Sequence, residues 1–376
     1  MLTPTAREAD FPSLTERTYL NTAAEGISPG QVVAALGQYA QDRLLGMDGR
    51  LLHEAQWRQV RQRAARFFDL TMEEVGFCSC TSEAFNLAAM ALRLQEGDEI
   101  VVNDLDFPAT ATPWMQADCA AVAKVWRARQ GALRLEDLIA LLGPRTRLVN
   151  VSLVSFYNGF KIQLEEIIEA VRQHSSALVA VDVTQALGRV PLNLQGADLI
   201  VSSTHKWILG SHGGGLVGVP AKRTQEWTTP AGGWYNIQDA FRSDRFDGSA
   251  QSKPGAESFM VGMPNYAAVY AVNAALAYIE SVGVEHIARH ADPLVRQCLD
   301  GVKAMPIELL TPDEPGALGG IFSFLHPQAE RLHQHLHEQN IHIMSQAGRL
   351  RVAIHGYNTQ EDIEFFLKTL HEALKA

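Results

Sequence analysis

GADLIVSSTHKWILGSHGGGLVGVP, Gly196 to Pro220, is the stretch whose reading decides the fold. An apolar run, Leu199-Ile200-Val201, passes into Ser202-Ser203-Thr204, then His205-Lys206, then a glycine-rich segment. Short apolar runs without alternation suit a strand covered on both faces. A lysine just past such a strand, among small residues, is poorly explained by solubility. Lysine forms Schiff bases with carbonyls, and a partly desolvated amine is the more reactive one. Lys206 is therefore read as the candidate carrier of an aldehyde cofactor. Most lysines are solvated surface residues, so the reading depends on what the rest of the chain supplies.

Working outward, the same pattern recurs. Val75 to Cys78, Glu99 to Asn103, Lys124 to Trp126, Thr146 to Leu153 and Ser176 to Asp182 are short apolar runs. They are separated by segments with helical spacing, such as AFNLAAMALRL after Glu83 and QLEEIIEAVRQ from Gln163. Alternating strands and helices predict an α/β fold, a mostly parallel sheet with helices on both faces. Ligands of such sheets bind at the carboxyl ends of the strands. Thr81, Ser82, Phe107, Asp182, Thr184, Gln185, Ser203, His205 and Lys206 all fall at or just past predicted strand ends. Thr81 or Ser82 is a natural N-cap, and a helix start offers free N–H groups and a positive dipole end to a phosphate. Phe107 precedes Pro108, which restricts its backbone and suits a ring that stacks on a planar ligand.

The chain has 376 residues, 47% hydrophobic and 20% charged, enough for a large domain and a smaller one. The expected division is an N-terminal arm at 1–25, a large domain at 26–262 and a small α+β domain at 263–376. In the last, an antiparallel sheet is expected to carry helices on one side. A formal net charge of −10 argues against nucleic acid or an anionic membrane as partner. Four cysteines, Cys78, Cys80, Cys119 and Cys298, lack zinc spacing and read as reduced thiols, so no metal site is expected. The N-terminus carries no basic-apolar leader pattern, so a cytoplasmic protein is expected. Gly213 to Gly218 matches G-x-G-x-x-G, yet the segment reads as a strand rather than the start of a helix, which speaks against a dinucleotide site. The histidines of HQHLHEQNIHI read as a solvated helix face.

These residues resemble the class V aminotransferases, pyridoxal-phosphate enzymes of fold type I that include cysteine desulfurases, isopenicillin N epimerase and kynureninase-like members. The resemblance rests on VDVTQ (Val181 to Gln185), SSTHKW (Ser202 to Trp207), TSEAFN (Thr81 to Asn86), YLNTAAEGISP near the start, and LRVAIHGYNTQEDI (Leu350 to Ile363). It implies pyridoxal 5'-phosphate on Lys206, with Asp182 on the ring nitrogen and Gln185 on the phenolic oxygen. It also implies Phe107 against the ring, and Thr81, Ser82, Ser203 and His205 on the phosphate. Arg351 would take the substrate α-carboxylate, with Asn21 beside it. A homodimer acting on a small amino acid is expected, most simply an aminotransferase. A β-lyase, an epimerase or racemase, and a catalytically silent cofactor-binding protein stand as alternatives. Three departures stand out. Cysteine desulfurases carry a nucleophilic cysteine on a loop before the substrate arginine, and His342 to Arg349 has none. Met263 stands where many members place a threonine that reaches the partner's phosphate. Phe156 replaces an asparagine near the cofactor oxygen.

Overall fold

Seven strands build the large sheet of the computed structural model, which describes residues 1–375. Their spatial order is Val75–Cys78, Gly215–Gly218, Leu199–Ser203, Leu178–Asp182, Thr146–Ser152, Glu99–Asn103 and Val122–Trp126. Gly215–Gly218 runs antiparallel to both neighbours, and the remaining pairs are parallel. Alternate residues of one strand enter two different cores. Val179 and Val181 join the cluster that includes Trp57, Ile167 and Val272, whereas Leu178 and Ala180 join the one that includes Phe85 and Leu92. The period of two in a strand thus serves helices on both faces, which is why the strands read as unbroken apolar runs.

The small domain has a four-stranded antiparallel sheet in the order Met344–Gln346, Arg349–Ala353, Ile321–Leu325, Glu308–Leu309. Phe322, Phe324, Leu350 and Val352 share a core with Leu294, Leu332 and Phe366 of three helices, Val284–Lys303, Ala329–Glu338 and Gln360–Lys375. The alternate set, Ser323, Arg349 and Arg351, points the other way, towards the loop after Ser152. The N-terminal arm adds Thr18–Tyr19, parallel to Ile341–His342. It also places Asn21 beside Ala353.

The expected boundary at 262/263 is corrected by packing. Helix Tyr266–Val282 lies against helices Gly30–Arg43 and Arg50–Phe68. Its Val269, Val272 and Leu276 belong to the core under the large sheet. This helix therefore sits on the large domain, because its apolar face is buried there, and the small domain's own core begins with the following helix. Among the described residues no single helix is long and apolar enough to cross a membrane.

Gly159 lies where the loop after Ser152 packs against the backbone of strand Ile321–Leu325. Its φ is +77°, and a Cβ built there would lie 1.9 Å from the Ile321 carbonyl oxygen. Gly159→Ala combines overpacking with a left-handed backbone, which costs about 1–3 kcal/mol. Urea unfolding of the variant is expected to show that loss as a lower midpoint. An unchanged midpoint would mean that this contact yields freely.

Candidate active site

The carboxyl ends of the central strands converge as the sequence reading expects. Thr81, Phe107, Ser152, Phe156, Asp182, Thr184, Gln185, Ser203, His205 and Lys206 line one cavity. Asp182 ends its strand and is buried. Its Oδ1 accepts the Thr184 N–H at 2.7 Å and its Oδ2 accepts the Thr110 hydroxyl at 3.2 Å. Burial raises its pKa against the lowering effect of these bonds and of Lys206. The carboxylate thus lacks a bonded cation and is suited to a protonated ring nitrogen.

Lys206 follows strand Leu199–Ser203 in a tight turn, where the Gly210 N–H reaches the Thr204 carbonyl at 3.0 Å. Its Nζ lies 5.3 Å from the centroid of the Phe107 ring. Desolvation pushes the amine down to about 8, against the opposing charge of Asp182. Gly26 allows the N-terminal arm to close over this turn. Its N–H meets the His205 carbonyl at 2.8 Å, and a Cβ there would stand 2.0 Å from the Lys206 carbonyl oxygen.

Three buried polar atoms at residues expected in the site have no protein partner: Ser203 Oγ, which lines the cavity, and Asn21 Oδ1 and Arg351 Nε, which lie outside its lining. Unpaired buried polar groups are costly, and the Ser203 hydroxyl, open to the cavity, is free to bond a ligand atom there. Helix Thr81–Leu92 begins at the cavity with Cys80 as its cap residue and no side-chain capping bond. The expected capping by Thr81 or Ser82 is therefore corrected. Both lie inside the first turn, where N–H groups lack intrahelical acceptors. Thr81 reaches the cavity, whereas Ser82 is exposed and does not line it. Glu83 turns back instead to the Ser79 N–H and hydroxyl, both at 2.6 Å.

His205 stacks on His212 with ring centroids 4.3 Å apart. Burial, with Lys206 and His212 adding to it, lowers its pKa to about 4, so at neutral pH the imidazole is uncharged. Gln185 donates one amide hydrogen to the Ala23 carbonyl at 3.1 Å and accepts the Trp207 indole N–H at 2.7 Å, which leaves a second amide hydrogen for a ligand. Phe107 packs edge-on to Phe156, centroids 5.0 Å apart. Arg351 is buried, and its Nη1 donates to the Phe156 carbonyl at 2.9 Å. Burial first, and then its neighbour Arg349, lowers its pKa to about 9.

The sequence reading missed Thr110 as a support of Asp182 and Ser152 as a lining residue. The position of Thr110 shortly after strand Glu99–Asn103, in the short helix Pro108–Ala111, is the available signal. The glycines after Lys206 lead into strand Gly215–Gly218 and not into a helix, as their spacing predicts.

Residues 18–366 match the family model for aminotransferase class V. The chain belongs to this family. A cysteine desulfurase of Klebsiella pneumoniae subsp. pneumoniae is 30% identical, over 84% of this chain and 81% of the relative. The uncharacterized aminotransferase YcbU of Bacillus subtilis is 25% identical, over 96% and 97%. Among solved structures, an apo cysteine desulfurase from Thermococcus onnurineus NA1 superposes with a TM-score of 0.89 at 23% identity, covering 100% of this chain and 99% of that one. The cystine C–S lyase C-DES bound to cysteine persulfide does so with 0.85 at 23% identity, over 96% and 98%. Class V aminotransferases are pyridoxal-phosphate enzymes. The orphaned Ser203 hydroxyl, the uncapped helix start and the buried Asp182 carboxylate fit that cofactor's phosphate and ring nitrogen.

A lysine depressed to about 8 loses its proton well below the ordinary range near 10.4. Lys206 is thus protonated and unreactive at pH 6 and a free amine at pH 9. Labelling of cofactor-free protein by an amine reagent, read at Lys206 by mass spectrometry, should rise with a midpoint near pH 8. A midpoint above about 10 would mean that the site does not desolvate this amine.

Proposed function

We propose that this class V enzyme is an aminotransferase acting on a small amino acid. The observation that carries the reading is the depressed amine of Lys206, set beside Asp182 and under Phe107, with Arg351 available to an α-carboxylate. Pyridoxal phosphate, when bound, supplies an electron sink that stabilises negative charge at the substrate α-carbon.

The chain's own residues take the following parts in this reading. Lys206 Nζ would hold the cofactor aldehyde and, as a free amine, would move a proton at the substrate Cα. Asp182, with Thr110 and Thr184 fixing its two oxygens, would keep the ring nitrogen protonated. Gln185 would donate its spare amide hydrogen to the phenolic oxygen. The first-turn N–H groups of Thr81 and Ser82, the Ser203 hydroxyl and neutral His205 would hold the phosphate. Phe107 would pack against the ring. Arg351 would take the α-carboxylate, with Asn21 assisting. Holding reactant and proton carrier in one geometry is where much of the rate comes from.

Cysteine desulfuration is disfavoured by local structure. Met344–Gln346 and Arg349–Ala353 are joined by a two-residue turn, Ala347-Gly348, with φ values of +52° and +76°. That is a hairpin with no room for a mobile loop, and it holds no cysteine. Cys78 and Cys298 are buried, and burial raises both thiols.

Mixing the holoenzyme with an amino donor and a keto acid is expected to convert both and to cycle the cofactor. Lys206→Ala should lower turnover by about 10²–10⁴-fold, the usual worth of a placed proton carrier. Release of ammonia, or inversion at the α-carbon, without any keto-acid acceptor would replace the aminotransferase reading with a lyase or an epimerase.

A further inference from the structure

Two arginines, Arg349 and Arg351, stand on the same face of one strand. Residues two apart on a strand lie about 6.6 Å from each other. Each is only 3% exposed. Their protein partners are uncharged. Arg351 donates to the Phe156 carbonyl at 2.9 Å. Arg349 donates to the next carbonyl, Tyr157, and to Gln346 Oε1 at 3.1 Å. The Arg349 guanidinium also lies over the Tyr157 ring, 4.2 Å from its centroid, and 5.6 Å from that of Phe156. Arg189 is the other arginine buried to this depth, and Asp292 meets it at 2.8 Å. No salt bridge reaches Arg349 or Arg351 among the described residues.

Buried like charges without a counter-ion are unfavourable, and a ligand anion placed against them relieves that cost. One α-carboxylate answers Arg351 and leaves Arg349 over. Phe156 lines the cavity that holds Lys206 and Asp182, and the Arg349 guanidinium stands behind that ring, 5.6 Å from its centroid, one side chain away from the cavity. A planar fork is the group best matched to a carboxylate.

We propose that Arg349 is the specificity determinant for an acidic substrate side chain, so that the enzyme takes a dicarboxylic amino acid of aspartate or glutamate size. This rests on the amino-acid reading of the site given above, and it names the substrate class. The two arginines divide the work: Arg351 takes the carboxylate common to every amino acid, and Arg349 takes the one that distinguishes an acidic side chain.

Binding without turnover tests it. The holoenzyme is titrated calorimetrically with glutarate and, separately, with butyrate, a chain of similar length with one carboxylate. Wild type is expected to bind glutarate at least tenfold more tightly. Arg349→Met should bring the ratio of the two affinities close to one, and Arg349→Lys should restore part of it. Equal affinities in wild type overturn the proposal, whether or not either variant folds. So does a ratio unchanged in Arg349→Met, which would leave Arg349 as a clamp on the Tyr157 carbonyl only. The result is independent of whether keto acids are converted. Loss of the aminotransferase reading, with glutarate preference kept, would show as tight anion binding without transamination.

Discussion

The buried carboxylate of Asp182 is the constraint on which the site depends. It stands at the end of a strand whose alternate residues enter two cores, and it has no room to move. Thr184 and Thr110 hold its two oxygens. Its charge in turn tends to keep the Lys206 ammonium protonated, while burial drives the proton off. The balance leaves an amine near neutrality beside a carboxylate still wanting a cation. Both groups lie at strand ends, so any ligand they share is held by the sheet itself rather than by mobile chain.

The second organising element is the small domain's central strand. Its period of two sends Leu350 and Val352 into a helix-covered core and turns Arg349 and Arg351 to the cleft. Because the strand is fixed from behind by that core, the guanidinium groups are placed without help from an acidic partner. Gly159 and Gly26 let two other segments come close enough to close the cleft, one at Ile321 and one at Lys206. Site and fold thus share the same tight backbone contacts.

Much of this was legible in the residues. The apolar runs specify the parallel sheet, and strand-end positions gather Asp182, Gln185, Ser203, His205 and Lys206, which share one cavity. Thr110 was not legible, because a lone threonine in a four-residue helix has no pattern that says which carboxylate it will reach. The helix cap was misread by one or two positions for a related reason. Thr81 and Ser82 are both good cap residues, and only the backbone turn at Cys80, where φ is −170°, decides that they belong to the helix. The domain boundary failed because helix Tyr266–Val282 is apolar on a broad face, and sequence does not say which neighbour covers it.

The sequence by itself determined the fold class, the family and the positions of the lysine, the acid and the helix start at the cavity. These follow from local period and from residue chemistry at strand ends, which need no knowledge of distant contacts. Tertiary structure alone decided the state of those groups. The depressed amine, the uncharged His205, the orphaned Ser203 hydroxyl and the two arginines without counter-ions all arise from burial and from what lies across the cleft. Burial is a property of the packed whole. A pattern of residues sets where a charge begins, and only packing sets what that charge must find.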